Sequence, residues 1–304
     1  MIATKILGGL GNQFFQYAIG KRTANLAHQE LFLDVSDFVT YHRPYVLKHF
    51  AIEAQTLDEK TINGLKAYKT RSSWRYWLER SKPINKRLYR EEQRKEYYCF
   101  IPEFLDVSQR ADKSAYFSGY WQNAEYLAGM REELERAFRL KREFAIPQDH
   151  PLLLGLADKE TIAVHFRRGD YVTGKTVFAV PENSYYIEAV NALLRERPTA
   201  QLYVFSNDIA WVKEHVSFQA PTFYVSDGSG LEDYQEFELM RLCQHHVIAN
   251  STFSWWAAWL KEAREGITYA PDVWLTDPSF DTRPLILPNW RTLSRERARV
   301  KEDV

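Results

Sequence analysis

Residues 161–170 read Thr161-Ile162-Ala163-Val164-His165-Phe166-Arg167-Arg168-Gly169-Asp170. The apolar run at their start is the pattern of a strand buried inside a parallel sheet. The strand then stops building core and presents a histidine, two arginines, a glycine and an aspartate at its carboxyl end. In open α/β sheets that end is where ligands bind. Adjacent guanidiniums offer planar forks of donors to anionic oxygens, which suits a phosphate-bearing ligand.

Working outward, the second half of the chain alternates strand and helix. Strands are predicted at 161–165, 201–205, 222–225, 247–249 and 267–269, with helices at about 184–197, 231–244 and 253–263. This alternation predicts a doubly wound parallel sheet. Four successive strands end in polar clusters: His165 to Asp170, Ser206-Asn207-Asp208, Ser226-Asp227 and Asn250-Ser251-Thr252-Phe253-Ser254. By the carboxyl-edge rule all four should converge on one crevice. The first half opens as strand, glycine turn (Gly8-Gly9-Leu10-Gly11), helix from Asn12 to about His28, and a short strand ending at Asp34. A further aromatic strand, Tyr116 to Asn123, is followed by a helix to about Arg142. The 304 residues suffice for two domains of about 150 residues. The boundaries predicted are 1–150 and 151–304, with Pro147 to Pro151 as the junction.

Lys plus Arg equals Asp plus Glu, 40 against 40, so whole-molecule attraction to nucleic acid is not indicated and basic charge must act locally. Aromatic residues make up 15% of the chain, which suits stacking on sugars or bases as well as large interfaces. Cys99 and Cys243 lack metal-ligand spacing and read as reduced core residues. The N-terminus has no signal-peptide pattern and no window approaches a membrane span, so a cytoplasmic protein is expected. Residues 69–96 hold ten basic and four acidic residues interleaved with Trp74, Tyr76, Trp77 and Tyr89. They read as a basic helical insertion, which is either a solvated surface, a peripheral contact to an anionic inner membrane, or a lid.

Each constellation also has a plain structural explanation. Ser251-Thr252 caps a helix, and the same N-terminus suits phosphate oxygens. Gly9-Leu10-Gly11 with Asp34 downstream partly matches a dinucleotide fingerprint, but Phe14 occupies the third glycine position. Arg168-Gly169-Asp170 matches an adhesion tripeptide only in letters, because it ends a buried strand. Asp170 is placed to pair with Arg167 or Arg168 and fix its rotamer. No Asp-x-Asp occurs in the sequence, and no His, Asp or Glu grouping has metal-ligand spacing. A diphosphate bound here would therefore lean on guanidiniums and a helix N-terminus.

Four stretches together carry a family resemblance: Gly8-Gly9-Leu10-Gly11-Asn12-Gln13-Phe14-Phe15-Gln16-Tyr17-Ala18, His165 to Tyr171, Phe205-Ser206-Asn207-Asp208, and Ile248-Ala249-Asn250-Ser251-Thr252-Phe253-Ser254-Trp255-Trp256. In this order the chain resembles the α-1,2-fucosyltransferases of glycosyltransferase family 11. These are inverting enzymes that move L-fucose from GDP-fucose to a galactose 2-hydroxyl. The His-x-Arg-Arg element is shared with α-1,6- and protein O-fucosyltransferases, which stay open as alternatives beside a non-catalytic sugar or nucleotide binder.

The resemblance implies two Rossmann-like domains facing across a cleft (GT-B type), an N-terminal domain mainly on the acceptor side, and no metal or cofactor. It implies that Arg167 and Arg168 hold the diphosphate while His165 and Asp170 shape the site. Asn250, Ser251, Thr252, Phe253 and Ser254 would bind phosphates. Ser206, Asn207, Asp208 and Asp227 would lie near guanosine, and Gly9, Gly11 and Asn12 would approach the donor. The implied partners are GDP-fucose and a galactose-terminated oligosaccharide or glycolipid. Phe166 and Ala257 depart from the small aliphatic residue and the glycine common at those positions. The base is unassigned, with Asp34, Asp37, His28, His42 and the leaving phosphate as candidates.

Overall fold

A computed structural model describes residues 1–157, 159–169, 178–262 and 265–293. The chain divides into two units, Met1–Arg139 and Leu140–Val304, so the first unit ends before the predicted junction at Pro147 to Pro151.

The first unit contains β1 (Ile2–Lys5), α1 (Leu10–Ala27), β2 (Leu31–Asp34), β3 (Gln55–Thr56), α2 (Glu59–Lys69), α3 (Trp74–Ser81), β4 (Tyr89–Glu91), β5 (Ala115–Ser118) and α4 (Arg131–Ala137). Its five strands run parallel in the order β3-β2-β1-β5-β4. Helix α1 is buried on most of its surface. It comes close to the sheet at Gly20, where a Cβ would lie 2.4 Å from Thr4 Oγ1 and 2.7 Å from Leu31 Cδ1. Phe14 stacks on Phe138 with ring centroids 3.9 Å apart, filling core where a dinucleotide fingerprint requires a glycine.

The 69–96 stretch is not a helical insertion. Only α3 and the last residue of α2 are α-helical within it, and Tyr89–Glu91 forms the edge strand of the sheet, with Tyr89 paired to Tyr116. Arg90, in that strand, is fully buried. Its guanidinium donates to the carbonyls of Asp106 at 2.9 Å, Asn85 at 3.0 Å and Glu103 at 3.2 Å, and also to Phe104. Charge that the sequence suggested was solvated instead holds a loop by its backbone, which satisfies a cation that burial would otherwise penalise.

The second unit contains α5 (Pro151–Leu154), β6 (Thr161–Phe166), α6 (Asn183–Glu196), β7 (Gln201–Ser206), α7 (Ile209–His215), β8 (Thr222–Tyr224), α8 (Asp233–Leu242), β9 (His245–Val247), α9 (Thr252–Leu260), β10 (Thr268–Pro271) and β11 (Arg291–Leu293). Six parallel strands run in the order β11-β10-β9-β6-β7-β8. Every residue of β6 and β7 is buried, as the apolar runs predicted. Ile162, Val164 and Phe166 pack against Ala189, Val190 and Leu193 of α6. Each such aliphatic side chain contributes about 1.5–3 kcal/mol of burial. Phe166, the departure from a small residue, stacks on Tyr186 with centroids 3.8 Å apart. Its extra volume is thus absorbed by the helix side of the sheet, and the alternate face of the strand is left to His165.

Candidate active site

In the second sheet the chain order reverses between β6 and β9, because β7 and β8 continue to one side and β9 to β11 to the other. Such a switch point opens a crevice at the carboxyl ends of the two strands. The residues leaving β6 are Arg167, Arg168 and Gly169, and those leaving β9 are Ile248 to Ser251, followed by the start of α9. Two of the four predicted clusters therefore meet at the crevice, and the Ser206 cluster lies beside them because β7 neighbours β6.

Arg168 is the most informative side chain there. Its guanidinium carbon lies over the ring of Trp211 of α7, 3.1 Å from the centroid, with 17% of the side chain exposed. Among the described residues Asp208 is the carboxylate that comes near, 3.9 Å from Nε and beyond hydrogen-bond reach, and the buried Nε has no hydrogen-bond partner there. A stacked, oriented, incompletely paired guanidinium fits an anionic ligand that completes its bonding. The backbone N–H of Arg168 donates to Asn207 Oδ1 at 3.0 Å. Gly169 leaves room for that bond, because a Cβ there would lie 2.2 Å from Asn207 Nδ2 and displace the amide.

His165 is 6% exposed and its Nδ1 has no hydrogen-bond partner among the described residues. Burial, reinforced by the Arg167 charge, pushes its pKa down to about 3, so the imidazole is neutral near pH 7. Its ring lies 5.6 Å from that of Phe253. Arg167 follows directly on the strand. Asp170 and Tyr171 lie outside the described residues, and with them the expected pairing of Asp170 with either arginine.

The Asn250–Ser254 segment divides its work. Asn250 donates through Nδ2 to the carbonyls of Trp274, at 2.9 Å, and Ala179, tying two loops to the sheet edge. Ser251 caps α9, its Oγ accepting from Phe253 N at 3.4 Å. Ser254 is fully buried, its Oγ directed to the carbonyls of Ala249 and Ser251 at 3.4 Å each. Thr252, half-buried at the first position of α9, and the helix amides beside it are the members placed to meet an anion.

Ser206 Oγ accepts from Asp208 N at 2.9 Å, shaping the turn into α7. Asp227 pairs with Lys213 near the edge of the sheet. Sequence reasoning missed Glu236. Ser206 N donates to Ser226 Oγ at 3.1 Å, and that hydroxyl donates to Glu236 Oε2 at 2.7 Å. Burial raises the Glu236 pKa to about 7. The signal available was its place one turn into a helix that follows Ser226, but the spacing has no motif.

Gly9, Gly11 and Asn12 belong to the first unit and form its own switch point, between β1 and β5. Gly8 adopts φ 81°, and α1 begins directly after Gly9. Gln16 accepts from Leu7 N at 2.9 Å and donates to Gly119 O at 3.1 Å, while Gln122 donates to Asn12 Oδ1 at 2.9 Å. Gln13 accepts from Val46 N at 3.0 Å and donates to Gly8 O at 2.9 Å and Pro44 O at 3.0 Å. The glutamines thus fasten one strand end to the next.

Glu92, also missed from sequence, lies just past β4 at the same edge. Its Oε2 accepts from Tyr120 N at 2.7 Å and Trp121 N at 3.1 Å. Burial raises its pKa to about 7. The earlier candidates fit a base less well. Asp34 is held below the ordinary carboxylate range: hydrogen bonds from Ser36 and Tyr116 outweigh the upward push of burial. Asp37 pairs with Lys5 at 2.6 Å. His28 ends α1 and precedes β2, at the amino edge of the sheet. Among the described residues no three His, Cys, Asp or Glu side chains converge as metal ligands.

Residues 1–294 match the family model described as Glycosyl transferase family 11. The chain belongs to that family. It is 28% identical to an alpha-1,2-colitosyltransferase of Escherichia coli over 93% of this chain and 97% of that protein. It is 27% identical to the O-antigen biosynthesis glycosyltransferase WbnK of Escherichia coli over 88% of this chain and 92% of that protein. The human galactoside alpha-(1,2)-fucosyltransferase 1 is 29% identical over 62% of this chain and 54% of its own length. For this family member, then, the switch-point cluster of the second unit is a candidate glycosyltransferase active site.

Proposed function

We propose that this glycosyltransferase transfers L-fucose from GDP-fucose to the 2-hydroxyl of a terminal β-galactoside, with inversion and without a metal ion. The observation that carries the donor half is Arg168, stacked on Trp211 and, among the described residues, without a carboxylate within hydrogen-bond distance. As the bond from the anomeric carbon to the β-phosphate breaks, negative charge grows on the leaving GDP. Guanidinium contacts strengthen in step, which lowers the barrier more than it tightens the ground state. Arg167 and the amides at the start of α9 add to that charge stabilisation. Neutral His165 contributes a hydrogen bond rather than a charge. Ser206, Ser226 and Glu236 form the part of the edge suited to the nucleoside, whose ring nitrogens need donors and acceptors.

On the acceptor side, inversion in one step places a base near the attacking hydroxyl. Glu92 fits that role, with one oxygen fixed by two amides and a pKa matched to a working pH near neutrality. The family's α-1,2-fucosyl and α-1,2-colitosyl relatives support the linkage. The colitosyltransferase also favours a second reading of the donor. Colitose is L-fucose lacking the 3-hydroxyl, so a site that hydrogen-bonds that hydroxyl will discriminate between the two sugars. The test is GDP release from GDP-fucose with lactose as acceptor, in EDTA, set against the same measurement with the 3-deoxy donor. Turnover that needs both donor and galactoside is expected. GDP binding without turnover on any galactoside would sink the proposal.

A further inference from the structure

The function proposed above leaves α3 unexplained. This helix is capped by Ser73, whose Oγ accepts from Arg75 N at 3.3 Å, and ends before Pro83. Its inner face is fixed. Tyr76 is buried, and Glu79, 3% exposed, accepts from Tyr89 N at 3.2 Å and Leu88 N while pairing with Lys82 at 2.8 Å. Those bonds to the edge strand set the rotation of the helix. The opposite face then shows Trp74, Trp77 and Leu78 at 68%, 63% and 50% exposure. Spaced i, i+3 and i+4, they form one apolar stripe. Every other tryptophan among the described residues is buried or half-buried.

The stripe is held in place. Trp77 Nε1 donates to Arg71 O at 2.9 Å, and the Arg75 guanidinium lies 5.6 Å from the Trp74 ring and 5.9 Å from Tyr68. Between residues 69 and 82 the cations are Lys69, Arg71, Arg75, Arg80 and Lys82, against the single acid Glu79, which is turned inward. Lys69, Arg71 and Arg75 are exposed around the start of the helix. Arg80, by contrast, pairs with Glu91 at 3.1 Å.

We infer that α3 is a membrane-docking element that seats on an anionic lipid surface, with Trp74, Trp77 and Leu78 at the headgroup–acyl boundary and Arg71 and Arg75 on the phosphates. Two indoles and a leucine ringed by arginines match the layered chemistry of that boundary, apolar below and anionic above. A protein partner of equal affinity requires no such layering. The chain is neutral overall, so attraction to an anionic surface acts through local basic faces such as this one, and each cation near the lipid contributes roughly fivefold in binding.

The experiment is flotation of the full chain with vesicles of phosphatidylcholine alone, or of equal parts phosphatidylcholine and phosphatidylglycerol. Binding to the anionic vesicles is expected, weakened by salt and accompanied by a blue shift of tryptophan emission. Trp74→Ser with Trp77→Ser should lose at least tenfold in vesicle binding while keeping native far-ultraviolet dichroism, a cooperative thermal melt and GDP release on a soluble acceptor. Arg71→Glu with Arg75→Glu, which leaves the indoles in place, should lose as much. Failure of the wild-type chain to float with anionic vesicles overturns the inference, as does undiminished flotation of either folded variant. Concentration-dependent self-association that the tryptophan variant abolishes, with no vesicle binding, would assign the face to a second copy instead.

Discussion

Replacing Arg168 by alanine separates catalysis from stability. The guanidinium stacked on Trp211 contributes about 0.5–2 kcal/mol to folding. Its buried Nε, unpartnered among the described residues, costs about 1–3 kcal/mol in desolvation. These nearly cancel, so Arg168→Ala should melt within a few degrees of the wild type. In the transition state the same group faces the charge that develops on the leaving diphosphate. Removing an oriented donor of that kind costs about 3–4 kcal/mol, or roughly 10²–10³ in kcat/KM. The assay is continuous GDP release at subsaturating GDP-fucose, with GDP affinity measured by calorimetry. GDP binding should weaken less than kcat/KM falls, because the contact is strongest when the bond is breaking. Arg168→Lys should recover roughly tenfold or less, since an ammonium cannot reproduce the planar fork or the stack on Trp211. A folded Arg168→Ala enzyme with kcat/KM within about twofold of wild type would refute the assignment. A large loss of stability would instead make Arg168 a structural residue.

Four further outcomes follow from the same coordinates. With Glu92 as base, kcat/KM rises as pH passes about 7, and Glu92→Gln loses both that limb and most of the activity; an unchanged pH profile would leave Glu92 only its bonds to Tyr120 and Trp121. The same residue makes folding pH-dependent. Its pKa is raised from 4.5 to about 7, so the stability it contributes is full below pH 4.5 and declines as pH rises through about 7. Glu92→Gln should therefore gain on the wild type by up to about 3 kcal/mol above that range, read from urea melts at two pH values. Gly169→Ala should drive Asn207 off the Arg168 amide and lower kcat/KM at least roughly tenfold, a distortion costing about 1–3 kcal/mol locally, while Gly64→Ala, whose Cβ would meet open space, serves as the control. Gly20→Ala places a methyl against Thr4 and Leu31 and should cost about 1–3 kcal/mol in a thermal melt with little change in KM.

The second sheet was readable because its two central strands are uninterrupted apolar runs that end in charge. Parallel order follows from βα alternation and the convergence of His165–Gly169 with Asn250–Ser254 from the carboxyl-edge rule, whereas the strand order that makes the switch point is a tertiary fact. What stayed hidden was whatever lacks a periodic pattern. Strand β4 hides among basic residues, and the burial of Arg90 depends on carbonyls supplied by residues 102–106, a tertiary fact with no local trace. The Asn12-Gln13-x-x-Gln16 spacing carries the family resemblance, and its physical role is to stitch strand ends. The third small residue expected after Gly9 and Gly11 is absent at Phe14, and the close helix–sheet approach occurs at Gly20 instead, beyond the motif's reach. Glu92 and Glu236 escaped notice because each is one acid among many until burial singles it out. Asn250 and Ser254 were read as phosphate ligands, but their side chains are occupied with carbonyls of the chain itself.

The most direct test of the account is the linkage of the product made from GDP-fucose and lactose in the presence of EDTA. The expected result is a fucosyl-lactose in which the fucose H1 shows through-bond and through-space correlation to position 2 of galactose, with α configuration, and which Arg168→Ala forms at least roughly a hundredfold more slowly. A product linked elsewhere, or one that forms only when a divalent metal is restored, would contradict the account.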